Sequence, residues 1–135
     1  HLARTTRAAI ETARERVAGL LGCEASEIQF TSCGTESTNA AIHSALRMDR
    51  DRQHIVTTRV EHSATLKTCE GLAKRGHAIT WLGVNSDGQI DLAELERSIT
   101  DETALVSVIG LDDMMHVLKT VQSVIGPAPE LPIPG

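Results

Sequence analysis

Aromatic residues are nearly absent from this chain. Its 135 residues include one tryptophan (Trp81), one phenylalanine (Phe30) and no tyrosine. Any core must therefore be built from Leu, Ile, Val and Ala. Clustered positive charge is absent too: the net charge is −5 and no basic block occurs. That argues against nucleic acid or an anionic membrane surface as the main partner. No apolar run approaches membrane-spanning length, and no signal-peptide pattern is visible. Cysteine is scarce, with Cys23, Cys33 and Cys69 and no CxxC spacing. An odd, scattered set does not make a disulfide framework. With the six histidines it offers no metal-ligand pair spacing either. An intracellular, cytoplasmic setting is the expectation. Proline is confined to Pro127, Pro129, Pro132 and Pro134, so the tail 127–135 reads as extended or disordered. The first residue is His1 rather than Met, as in a piece cut from something longer. No internal repeat is present.

What is there fits one small domain. Hydrophobic residues make up 41% and charged residues 23%, ordinary globular values. A chain of this size can bury about two thirds of its unfolded surface. Ile10, Ala13, Val17, Leu20 and Leu21 fall near one face of a helix over 7–21, which Gly22 closes. A short strand is expected over 28–31 and a second helix over 35–48. The β-branched run 54–58 reads as a strand. Leu66, Cys69, Leu72 and Ala73 stripe a third helix over 63–75. A strand follows over 78–82, then the turn Asn85-Ser-Asp-Gly88. Asp91 caps a short helix carrying Leu92, Leu95 and Ile99. The near-continuous apolar run 104–109 suits the buried middle of a parallel sheet. Residues 112–125 read as one further helix, striped by Met115, Leu118, Val121 and Ile125.

Strands alternating with helices predict an α/β fold with three layers, α/β/α, and a mostly parallel sheet. In such sheets ligands bind beyond the carboxyl ends of the strands. The segments 32–37 and 59–62 both follow expected strands and would open onto that rim.

The stretch Thr31-Ser-Cys-Gly-Thr-Glu-Ser-Thr-Asn39 stands out. It reads as strand, tight glycine turn and helix start. A helix start presents unpaired N–H groups and the positive end of a dipole. Gly34 lets the backbone approach closely, while Thr35 and Ser37 add hydroxyl donors. Phosphate capture is the chemistry this favours. An ordinary hydroxyl-capped turn has the same look.

Five stretches together resemble the cysteine desulfurases that supply sulfur for iron–sulfur cluster and nitrogenase assembly. They are Ala18-Gly-Leu-Leu-Gly22, Phe30-Thr-Ser-Cys-Gly-Thr-Glu-Ser37, Val60-Glu-His62, Asp87-Gly88 with Ile90-Asp-Leu92, and Ala104-Leu-Val-Ser-Val108. The resemblance runs from Ala13 to about Val108 in matching order and spacing. It implies a pyridoxal 5'-phosphate (PLP) enzyme of the class-V aminotransferase kind, and part of the large domain of the aspartate-aminotransferase fold. Residues 1–110 would form a partial PLP-binding domain, 111–126 a C-terminal helix, and 127–135 the tail.

The resemblance also implies roles. Gly34 and Thr35 would hold the cofactor phosphate. His62 would lie over the pyridine ring and act in proton transfer, which an imidazole can do. L-cysteine would be the substrate, giving alanine and a persulfide passed to a sulfur-acceptor protein. The family's homodimers imply a homo-oligomer.

Departures are equally specific. The family's Asn-Asn-Glu segment is replaced by Gly110-Leu-Asp-Asp113. The pyridinium-binding aspartate, the cofactor lysine and the sulfur-carrying cysteine find no counterparts. The three lysines, Lys67, Lys74 and Lys119, stand outside the family's lysine context. The pattern reads as a truncated or internally deleted relative, inactive alone. A non-catalytic phosphate-ligand-binding or dimerisation module is the alternative. The bland reading of His62 is a helix cap. Cys33 is open to two readings, a reactive thiol at a helix start or, as the resemblance implies, a small pocket-lining residue.

Overall fold

The computed structural model describes residues 2–109 and Ser123. These fall into two compact units, one up to Ser32 and one from Cys33 onward. The expected helix over 112–125, the proline-rich tail and the boundaries drawn at 111–126 and 127–135 lie outside the described residues.

The first unit is built on helix α1 (Leu2–Leu21), which begins five residues before the expected start. Gly22 ends it in the left-handed region at φ 70°. The Cys23 N–H then donates to the Ala18 carbonyl at 3.1 Å, closing the last turn. A short 3-10 turn, Ala25–Glu27, follows. The strand expected over 28–31 does not form. The Ile28 carbonyl accepts instead from the Arg14 guanidinium. That guanidinium also lies 5.2 Å from the centre of the Phe30 ring. A strand needs a neighbour for its ladder, and no described strand lies in this unit.

In the second unit the order is α2 (Gly34–Met48), β1 (His54–Thr58), α3 (Ser63–Lys74), β2 (Ala78–Leu82), α4 (Leu92–Ser98) and β3 (Thr103–Ser107). The strands form one parallel sheet in the order β2-β1-β3. β1 is buried at every residue, as a central strand covered on both faces requires. Ile55 faces one layer, packed with Ile42 and Leu46 of α2 and Cys69 and Leu72 of α3. Val56 faces the other, packed with Leu82 and with Leu95 of α4. Period-2 alternation along one strand thus feeds two cores. The unit has the expected three layers: α2 and α3, the sheet, then α4.

The sheet differs from expectation in one respect. The apolar run 104–109 was assigned to its middle, yet β3 flanks β1 and is mostly half-buried. Its run of Ala104, Leu105 and Val106 combines a bulge with packing on both faces: Val106 and Val108 join the Val56, Leu82 and Leu95 core. Thr103 pairs with His54 but Leu105 pairs with Ile55, so Ala104 is an extra residue. Ala104 and Leu105 therefore both pack on the α2/α3 side.

Local chemistry sets the ends. α3 stops where Gly76 adopts φ 95° and the His77 N–H reaches the Leu72 carbonyl at 3.1 Å. The expected turn after β2 is organised by Asn85, whose side-chain oxygen accepts from the amides of Asp87 and Gln89. Asp91 caps α4 by accepting from the Ala93 N–H at 2.9 Å.

His54 pins the amino end of the sheet. Its Nδ1 lies 2.9 Å from the Thr103 hydroxyl on β3, and its Nε2 lies 2.8 Å from the Thr80 hydroxyl on β2. One imidazole thereby joins all three strands. Burial disfavours its charged form and lowers its pKa, with the Glu102 carboxylate opposing in part. A lowered histidine pKa makes the unfolded chain the better proton acceptor between the folded and unfolded values. This contribution is therefore complete above the unfolded value of about 6.5 and fades as pH falls below it. Urea midpoints should drop as pH is taken from about 7.5 to about 5.5, and His54→Gln should flatten part of that drop.

Candidate functional site

Two helix starts share one end of the sheet. α3 begins immediately after β1, so its N-terminus lies at the carboxyl end of that strand. α2 runs the same way. The Gln53 side chain, just before β1, donates to the Leu46 carbonyl near the end of α2 at 2.9 Å. The end of α2 is thus tied to the start of β1, and its beginning points to the opposite rim. The Thr68 hydroxyl donates to the Asn39 side-chain oxygen between the two helices. Each partner is the sixth residue of its helix. The two helices therefore start level, and the expected site residues Gly34, Thr35 and His62 come to one rim.

The two starts are finished differently. His62 is the N-cap of α3, and its Nδ1 accepts from the Ala64 N–H at 3.2 Å. Because a backbone N–H can only donate, the neutral ring carries its proton on Nε2. The rest of the ring is exposed. At α2 the N-cap is Cys33, which makes no side-chain cap hydrogen bond. The first intrahelical closure there is the Ser37 N–H to the Cys33 carbonyl at 3.1 Å. Gly34 and Thr35 precede that donor, so their amides have no preceding-turn carbonyl to meet. Both residues are exposed, and the space where a Gly34 Cβ would stand is open. A negatively charged, tetrahedral group fits this start, through amides, a hydroxyl and the dipole.

Between β1 and His62 lies a buried carboxylate that sequence reasoning passed over. Glu61 is 8% exposed. Its Oε1 accepts from the Thr58 hydroxyl at 3.2 Å and from the Ile109 N–H beyond β3 at 2.5 Å. Burial raises its pKa, and those two hydrogen bonds counter the rise. The signal available in the sequence was a charged residue in the short loop that follows a β-branched strand.

The remaining chemistry-bearing residues are dispersed. Lys67 and Lys74 are exposed along α3, and Lys119 lies outside the described residues. Cys69 is buried in the core against α2, with its thiol pKa raised by burial and by the Glu61 carboxylate. Cys33 is exposed at the head of α2. No group of three or more metal-ligating side chains occurs among the described residues, and none of their helices is long and apolar enough to cross a membrane.

Removing the His62 cap has a defined expectation. His62→Ala should cost about 0.5–1 kcal/mol in urea unfolding, whereas His62→Asn, which restores a good N-cap acceptor, should recover most of it.

Comparison with known proteins gives a consistent picture. Residues 1–130 match the family model for class-V aminotransferases. A cysteine desulfurase of Nostoc sp. is 55% identical over 101 residues, which cover 75% of this chain and 25% of that protein. The mitochondrial cysteine desulfurase of Drosophila melanogaster is 40% identical over 120 residues, covering 88% and 26%. Among solved structures, a NifS-like protein superposes with a TM-score of 0.77 at 32% identity, covering 91% of this chain and 36% of that one. SspA, solved in complex with cysteine, gives 0.67 at 34% identity, covering 80% and 32%. The chain thus spans about a quarter of the length of the curated relatives it matches.

Proposed function

The chain belongs to the class-V aminotransferase family and is of the cysteine desulfurase kind, and from that premise we propose that it forms the phosphate-binding and ring-facing part of a PLP site for desulfurising L-cysteine. One observation carries the proposal. Gly34 and Thr35 come before the first intrahelical closure of α2, from the Ser37 N–H to the Cys33 carbonyl, and both are exposed. An anion would meet their amides.

In this reading Gly34 admits the phosphate close to the backbone, and its amide and that of Thr35 donate to the phosphate oxygens. The Thr35 hydroxyl adds a further donor. His62 projects from the start of the neighbouring helix and covers the pyridine ring, its Nε2 proton facing away from the helix. When bound, PLP supplies the electron sink that weakens bonds to the substrate's α-carbon. The chain's part is to bind, orient and hold a proton at His62 Nε2. The persulfide sulfur would pass to an acceptor protein, in a cytoplasmic homo-oligomer. Lys74 is in the last turn of α3, roughly 16 Å along the helix from Ser63 at 1.5 Å per residue, and Lys67 stands outside the family's lysine context. By itself the chain should therefore release no alanine from L-cysteine.

The phosphate is the part to test. Titration followed by absorbance should give tighter binding for PLP than for pyridoxal. Thr35→Val should narrow that gap, and His62→Asn should weaken both ligands alike. Equal affinity of the unaltered chain for PLP and pyridoxal would remove the proposal.

A further inference from the structure

Glu61 is an expensive residue to bury, and its surroundings show what it holds. An ionised carboxylate in an apolar setting is strongly disfavoured unless donors meet it. Here a single oxygen, Oε1, receives two. One is the hydroxyl of Thr58, the last residue of β1, itself fully buried. The other is the amide of Ile109, two residues past the end of β3. The Thr58 hydroxyl in turn accepts from the Val60 N–H at 3.3 Å. The chain from Thr58 to His62 is thus folded round the carboxylate, and the exit of the neighbouring strand is fastened to the same atom. Ile109 is half exposed at 52%, so little apolar packing holds that exit in place.

We propose that Glu61 is a positioning residue: by holding the Thr58 hydroxyl and the Ile109 amide on one buried oxygen, it clasps the chain leaving β3 to the loop that carries His62 and so sets where the His62 ring stands. As a statement about a ring-facing histidine, this rests on the function proposed above. The clasp joins the carboxyl ends of two adjacent parallel strands, the edge where open α/β sheets receive ligands. His62 follows Glu61 directly, so its backbone starts from a fixed point. Its ring is then set by the bond from the Ala64 amide. Thr58 and Ile109 meet the carboxylate with neutral donors, and the titratable group facing it from α3 is the Cys69 thiol.

Nuclear magnetic resonance on the ¹⁵N-labelled chain reads the clasp without any ligand. Hydrogen bonds to charged acceptors are strong enough that Glu61→Ala should speed exchange of the Ile109 amide by about tenfold or more. It should also relax the His62 ring from the Nε2–H form toward a tautomer mixture. Glu61→Gln keeps an acceptor oxygen and should preserve both properties. Unchanged Ile109 exchange and an unchanged His62 tautomer in Glu61→Ala overturn the proposal. Should that variant not fold, the pH titration decides. The Ile109 amide shift of the unaltered chain should follow the carboxylate and stay flat in Glu61→Gln, and a flat response in both overturns the clasp. A PLP titration separates this idea from the previous one. Equal PLP and pyridoxal affinities with an intact clasp defeat only the phosphate reading. An unaltered Ile109 and His62 in Glu61→Ala, with PLP still preferred, defeat only the clasp.

Discussion

Two-sided burial of β1 is the constraint on which the second unit rests. Five residues, His-Ile-Val-Thr-Thr, are buried end to end. Each neighbouring strand pairs with them in parallel, and each helical layer packs against one of their faces. A parallel strand cannot be closed by a tight hairpin, so chain must leave its carboxyl end and return through a helix. That requirement places the Arg59–His62 loop at the rim and points the start of α3 there. Two polar residues of the strand, His54 and Thr58, follow the same logic. His54 can be buried because two threonine hydroxyls meet its ring nitrogens, and Thr58 because Glu61 accepts its proton.

The two helix starts illustrate how one physical need can be answered in two ways. Every helix begins with amides that have no intrahelical carbonyl. α3 answers with the imidazole of its own N-cap, which fixes the ring's tautomer as a by-product. This makes the modest structural role of His62 and its proposed chemical role compatible: the cap occupies Nδ1 and leaves Nε2 to face outward. α2 has a cysteine in the corresponding place, and a thiol is a poor acceptor there. At α2 the exposed residues that precede the first intrahelical closure are Gly34 and Thr35.

Much of this was legible in the residues. β1 and β2 fall where β-branched and apolar runs placed them, and the ends of α1 and α3 fall at Gly22 and near Gly76 because glycine alone reaches those positive φ values without strain. Asp91 caps α4 as its position suggested. What was not legible depended on partners distant in sequence. The run 28–31 has a strand's composition, but a strand is defined by its neighbour, and local pattern says nothing about whether one is present. Its carbonyl turns to Arg14 instead. The apolar run 104–109 packs on both faces of the sheet, but its place beside β1 and the bulge at Ala104, which puts two consecutive residues on one face, depend on the neighbouring strand. Glu61 was quoted in Val60-Glu-His62 but given no role, because its significance lies in a contact 48 residues away, with Ile109.

The way the site is divided along the chain has a physical cause. A phosphate grip needs a helix start, and a ring cover needs a side chain beside it at the same level. In an α/β layer, consecutive helices on one face begin at the same rim, so both requirements can be met by α2 and α3, within the 29 residues from Gly34 to His62. A group that must reach the cofactor's far side has no such economy: α3 offers only positions that descend from the rim by 1.5 Å per residue, and its lysines follow that descent. In the proposed reading the phosphate and ring functions can accordingly travel together on a short span of chain, while groups that approach from other strands cannot; the span is tied to the exit of β2 by the Arg59 N–H on the Leu82 carbonyl and to the exit of β3 by the Glu61 clasp.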